Sequence, residues 1–195
     1  MKVVCIGNSI VKGFPHRQGQ SFPSVVRELT GWQVINKGVN GDTTAGVLSR
    51  FQVDVLSHHP DRVLILTGTN DFIYKTASPT EAMENISEMV DLALAQKVEP
   101  VLLTPLQCEP DQAALQWMAG EPADYREVNR KLSQLSELIR VAASRKGCTL
   151  VDLELKYKGF GKYQDGLHPT VEGQAWIAQC IIEEILGEKQ NASRQ

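Results

Sequence analysis

A serine near the start of the chain and an aspartate and a histidine near its end have the types and order that acyl transfer needs. Ser9 lies in Gly7-Asn8-Ser9-Ile10, directly after a short apolar run, and the other two lie in Asp165-Gly166-Leu167-His168-Pro169. A serine hydroxyl is a poor nucleophile at neutral pH, so a base must take its proton as it attacks. An imidazole suits that task, and a carboxylate on its other ring nitrogen fixes the tautomer and stabilises the imidazolium that forms. Ser9, Asp165 and His168 supply these parts in the order Ser, Asp, His. A protonated imidazole cannot accept the serine proton, so the sequence predicts activity that falls on acidification. Read alone, Asp165-Gly166 is a turn and His168-Pro169 a helix entry.

Attack on a carbonyl creates an oxyanion, which calls for preorganised N–H donors. The backbone N–H of Ser9 at a strand-to-helix turn, the N–H of Gly41 with no side chain to block it, and the Asn70 amide are candidates. Alone, residues 36–41 read as an ordinary βα turn and Gly68-Thr69-Asn70-Asp71 as a strand end and turn.

The elements that must position these residues alternate along the chain. Residues 2–6, 32–36, 62–67, 99–104 and 148–153 read as short apolar strands, the third almost continuously apolar as in a central parallel strand buried on both faces. Helices are predicted over 21–30, over 43–58 with Val47, Phe51 and Val55 at four-residue spacing, from Pro79 with Met83, Ile86, Val90 and Leu94, along Val128, Leu132, Leu135 and Ile139, and after Pro169 with Ala178, Ile181, Ile182 and Ile185 inward. This pattern predicts an α/β fold with a five-stranded parallel sheet covered on both faces. Ligands bind such folds at the carboxyl ends of the strands, where Ser9, the 38–43 loop, Asn70 and His168 all fall. Residues 105–124 form a long segment at the same rim, with Trp117 and Met118 as apolar groups that either cover the substrate or pack onto the domain.

Composition narrows the classes. A chain of 195 residues, 42% hydrophobic and 22% charged, suits one domain over 1–187 with a polar tail over 188–195. A net charge of −3 gives no footprint for nucleic acid, and no basic amphipathic stretch or apolar run of membrane length suggests stable membrane association. Residues 1–6 are too short for a signal-peptide apolar region, and Cys5, Cys108, Cys148 and Cys180 lack zinc-ligand spacing, so a cytoplasmic protein with reduced thiols is expected. Lys12-Gly13 does not complete a phosphate-binding loop. His58 and His59 are adjacent and His16 is isolated, so all three are expected to be solvated and no metal is expected. Activity should therefore survive EDTA; loss on chelation, restored by a divalent ion, would contradict that expectation.

Taken together, these blocks resemble the SGNH hydrolases, also called GDSL esterases and lipases. Gly7-Asn8-Ser9-Ile10 stands in place of GDSL, Gly41 falls within Asn-x-Gly-x-x-Gly, Gly68-Thr69-Asn70-Asp71 matches GxND, and Asp165 to Pro169 matches DxxHP. The resemblance implies a three-layer flavodoxin-like α/β/α fold, a Ser9/Asp165/His168 triad and an oxyanion hole from the N–H groups of Ser9 and Gly41 and the side chain of Asn70. It implies no cofactor. The implied activity is hydrolysis of small carboxylic esters through an acyl-serine; thioesters and lysophospholipids are alternative substrates, and a catalytically silent binding module is the rival from another class. The family's Asp before the serine is Asn8 here, which removes a charge but keeps an acceptor oxygen.

Overall fold

Residues 3–6 carry apolar, mostly β-branched side chains that are wholly buried, as a strand flanked on both edges and both faces requires. They form the middle of β1 (Lys2–Gly7), which joins β2 (Gln33–Gly38), β3 (Arg62–Leu66), β4 (Glu99–Leu103) and β5 (Thr149–Val151) in one sheet of order β2-β1-β3-β4-β5. All four pairings are parallel, with Cys5 of β1 opposite Asn36 on one side and Leu64 on the other. The order of connection reverses between β1 and β3. Loops leaving the carboxyl ends of those two strands therefore diverge and open a crevice. The computed structural model describes residues 1–117, 123–158 and 160–192.

Alternation along the strands divides the core in two. Val4, Ile6, Val63 and Ile65 face α3 (Thr44–Ser49), α4 (Phe51–Asp54), α6 (Pro79–Ala95) and α8 (Tyr125–Lys146). Val3, Cys5, Leu64 and Leu66 face α2 (Phe22–Thr30) and α10 (Val171–Ala192) on the opposite side. The expected α/β sheet with helices on both faces is thus present. Pro79 opens α6 behind a capping box in which Ser78 and Glu81 satisfy each other's backbone N–H groups, and Asp124 caps α8 through the N–H groups of Arg126 and Glu127.

Two expectations need correction. The helix predicted over 43–58 is two short helices and a 3-10 turn at Leu56–His58. Val47, Phe51 and Val55 are all buried as their spacing predicted, but the backbone leaves helical geometry at Arg50 (φ −106°, ψ 4°), whose guanidinium turns back to the sheet. The strand predicted over 148–153 ends at Val151, and Leu153 instead begins α9 (Leu153–Lys158). The 105–124 segment contains α7 (Pro110–Gln116), while Met118 lies outside the described residues. α10 continues to Ala192, and residues 193–195 also lie outside the description. No helix among the described residues is long and apolar enough to cross a membrane.

Candidate active site

At the end of β1 the chain passes directly into a single helical turn, α1 (Ser9–Lys12), capped by Asn8, whose side-chain oxygen accepts from the N–H of Ile10 at 3.1 Å. As the first residue of that turn, Ser9 has a backbone N–H without an intrahelical partner. Its Oγ lies 2.8 Å from His168 Nε2, and His168 Nδ1 lies 2.8 Å from Asp165 Oδ2. Both contacts are satisfied by one tautomer: Nδ1–H donates to the carboxylate and Nε2 accepts from the serine hydroxyl. That imidazole is set to take a proton from Ser9.

The turn at 165–168 is built around Asp165. Its Oδ1 accepts from the backbone N–H groups of Leu167 at 3.0 Å and His168 at 2.8 Å. Burial acts to raise the Asp165 pKa, but the hydrogen bonds from the His168 ring, the His168 backbone and Leu167 outweigh it and hold the carboxyl below the usual range. Gly166 has φ +83°, and a Cβ there would stand 2.3 Å from the backbone nitrogen of Ala113, so glycine permits both the turn and the close seating of α7. The backbone N–H of Glu109 also donates to Gly166 O at 2.8 Å. His16, expected to be solvated, is half-buried, and its Nε2 donates to the carbonyl of Pro169 at 2.7 Å.

The candidate oxyanion donors face the same space. Asn70 sits in the first turn of α5 (Thr69–Ile73) after β3, and its Nδ2 donates to the backbone carbonyl of Asp42 at 2.8 Å. An amide nitrogen carries two hydrogens, so this contact orients the group and leaves a second donor. Gly41, at φ +76°, lies one residue before Asp42. Ser9, Gly41, Asn70 and His168 line one cavity of about 700 Å³, with Asp165 behind the imidazole.

Several supporting residues escaped the sequence reading. The Arg50 guanidinium donates to Asp42 Oδ2 at 2.8 Å, to Lys37 O at 2.8 Å and to Gly7 O at 3.0 Å, and pairs with Asp54 at 2.8 Å. It ties the ends of β1 and β2 to the residue that orients Asn70. Buried Asp71 accepts from Thr44 N at 2.9 Å and Thr44 Oγ1 at 2.6 Å, which fixes the far end of the same loop. Burial raises the Asp71 pKa despite these hydrogen bonds. Phe14 meets the His168 ring edge-on at 4.9 Å between centroids, and Trp117 lies 5.5 Å from it. The 105–124 segment thus both packs onto the domain, through buried Cys108 and Ala113, and walls the cavity, through Trp117. Among the described residues, no group of three or more His, Cys, Asp or Glu side chains is placed to hold a metal ion.

Comparison with known proteins supplies an independent line. The profile of the GDSL-like lipase/acylhydrolase family matches residues 5–176. An arylesterase of Vibrio mimicus is 26% identical over 193 residues, covering 95% of this chain and 88% of the relative. An acetylxylan esterase of Geobacillus stearothermophilus is 24% identical over 171 residues, covering 80% and 73%. The crystal structure of a lipase/acylhydrolase from Enterococcus faecalis superposes with a TM-score of 0.79 at 23% identity, covering 96% of both chains, and so shares the fold.

Proposed function

Because the chain belongs to the GDSL-like lipase/acylhydrolase family, we propose that it hydrolyses carboxylic esters of small molecules through an acyl-serine on Ser9. The observation that carries this reading is the unbroken line from Ser9 Oγ through His168 to Asp165, at 2.8 Å for each contact, opening onto the cavity. The names of the arylesterase and acetylxylan esterase relatives support oxygen esters over thioesters.

In the proposed reaction Ser9 Oγ bonds to the ester carbonyl carbon as its proton passes to His168 Nε2. The carbonyl electron pair moves onto oxygen, where the N–H groups of Ser9, Gly41 and Asn70 receive it. Collapse of this intermediate breaks the bond to the alcohol, which leaves with the proton from Nε2. A water then attacks the acyl-serine, giving a proton to Nε2, and Ser9 departs by taking that proton back. The products are an acid and an alcohol. Under the same proposal residues 1–187 work as one domain in the cytoplasm, where four free cysteines stay reduced.

Two substitutions separate donor from scaffold. Asn70→Ala should lower kcat by about 10²- to 10³-fold with little change in KM, because a donor aimed at the oxyanion acts in the transition state. Asn8→Asp should change kcat by less than about tenfold, since a carboxylate oxygen can accept the Ile10 N–H as the amide oxygen does. Steady-state kinetics on one ester, with circular dichroism to check folding, reads both. If Asn8→Asp alone turned an inert protein active, the silent binding module would be the better reading.

The whole reading is tested by wild-type turnover of 4-nitrophenyl esters of graded acyl length beside matched thioesters. Hydrolysis of the short oxygen esters is expected. A folded protein inert across the panel would contradict the proposal.

A further inference from the structure

A second concavity, of about 600 Å³, adjoins the catalytic cavity and shares Phe14 and Asn40 with it. The two differ in chemistry. Among the described residues, the catalytic cavity is lined by no Lys, Arg, Asp or Glu, whereas Lys12, Arg17 and Arg27 all border the second groove and no carboxylate does. The three come from α1, the 13–21 loop and α2, which the fold brings around one hollow. In a chain of net charge −3 this grouping stands out because it gathers three cations and no carboxylate in one hollow, whereas Lys37, Arg50, Arg62, Arg130, Arg140 and Lys156 each pair with a carboxylate. Among the described residues, Lys12, Arg17 and Arg27 have no such partner.

The side of the site is set by proton traffic. His168 must return its proton to the leaving oxygen, so the alcohol arm of an ester lies on the His168 side. Phe14 stands against the His168 ring and also walls the groove, and His16, in the groove, is bonded to the carbonyl of Pro169 next to His168. A group attached to the alcohol is therefore directed past Phe14 towards the three cations. Guanidinium forks and an ammonium match the oxygens of a phosphate or carboxylate, and the hydroxyls of Ser21 and Ser24 add neutral hydrogen-bonding groups to the same wall. Resting on the esterase reading of Ser9, we propose that this groove holds a phosphate or carboxylate carried on the alcohol part of the substrate.

The test compares 1-acetylglycerol with 1-acetylglycerol 3-phosphate by acetate release. Wild-type kcat/KM is expected to favour the phosphate ester by roughly tenfold through KM, and the preference should shrink in 0.5 M NaCl because exposed cations are screened. The Lys12→Gln/Arg17→Gln/Arg27→Gln protein should bring the ratio of the two esters to about one. 3-O-Acetylglycerate tells a carboxylate from a phosphate. Mono(4-nitrophenyl) succinate, charged on the acyl arm, should show no preference that the triple variant removes. A wild-type ratio near one, or a ratio the triple variant leaves intact, would overturn the proposal while leaving the esterase reading in place. Should none of these esters be hydrolysed, the graded 4-nitrophenyl panel decides the esterase reading separately, and calorimetry with glycerol 3-phosphate still reads the groove: wild type should bind it at least fivefold more tightly than the triple variant. Absence of that difference, or equally tight binding of inorganic phosphate, would overturn the assignment to a substrate arm.

Discussion

Ser9→Ala is expected to reduce kcat/KM on any ester the protein hydrolyses by about 10⁴-fold or more, and His168→Ala by a similar amount. The two side chains act as one unit, since the hydroxyl is activated only by giving its proton to Nε2, 2.8 Å away. Removing both should therefore cost little more than removing either. This non-additivity separates a catalytic pair from two independently useful polar groups, whose losses would multiply. Activity retained by Ser9→Ala would remove the acyl-serine, and multiplicative losses would separate Ser9 from His168. Ser9 and His168 are both buried, so circular dichroism and thermal melting must show that each variant keeps its fold.

Asp165→Asn is expected to cost about 10³- to 10⁴-fold, for a reason of hydrogen-bond direction. In the native turn Asp165 Oδ1 accepts two backbone N–H groups while Oδ2 faces His168 Nδ1. An asparagine must put its oxygen where the two N–H groups need an acceptor, which turns its NH₂ towards Nδ1. A donor there selects the tautomer with its proton on Nε2, which cannot accept from Ser9. Asp165→Ala leaves the tautomer free, so a correctly folded alanine variant should keep more activity than the asparagine one. The reverse order would contradict this account. The carboxyl has a second signature in stability. Its pKa is lowered on folding, so it stabilises the protein above the unfolded carboxylate pKa, and that contribution is lost as pH falls through the lower folded value. The melting difference between wild type and Asp165→Asn should accordingly narrow on acidification; a gap independent of pH would place its origin elsewhere.

How far the sequence could be read depended on whether a residue's role was local. The buried faces of Val47, Phe51 and Val55 were legible because their spacing is a helical period, but the break at Arg50 was not, because its partners at Gly7, Lys37 and Asp42 are distant in the chain or reached by its turning back. The pairing of Asp165 with His168 was legible for the opposite reason, being a three-residue turn. Short helices such as α1 and α5 span four and five residues, too few to show a period, yet they carry Ser9 and Asn70. His16 and Phe14 fall in no predicted element, and only the fold places one on the Pro169 carbonyl and the other against the His168 ring.

The most direct measurement is to treat the protein with a fluorophosphonate and map the modified residue by peptide mass spectrometry. A phosphonyl group is expected on Ser9 alone, and labelling should fail in His168→Ala, where no base takes the hydroxyl proton. Labelling of a different serine, or of Ser9 at an unchanged rate without His168, would contradict the assignment of Ser9 as the activated nucleophile.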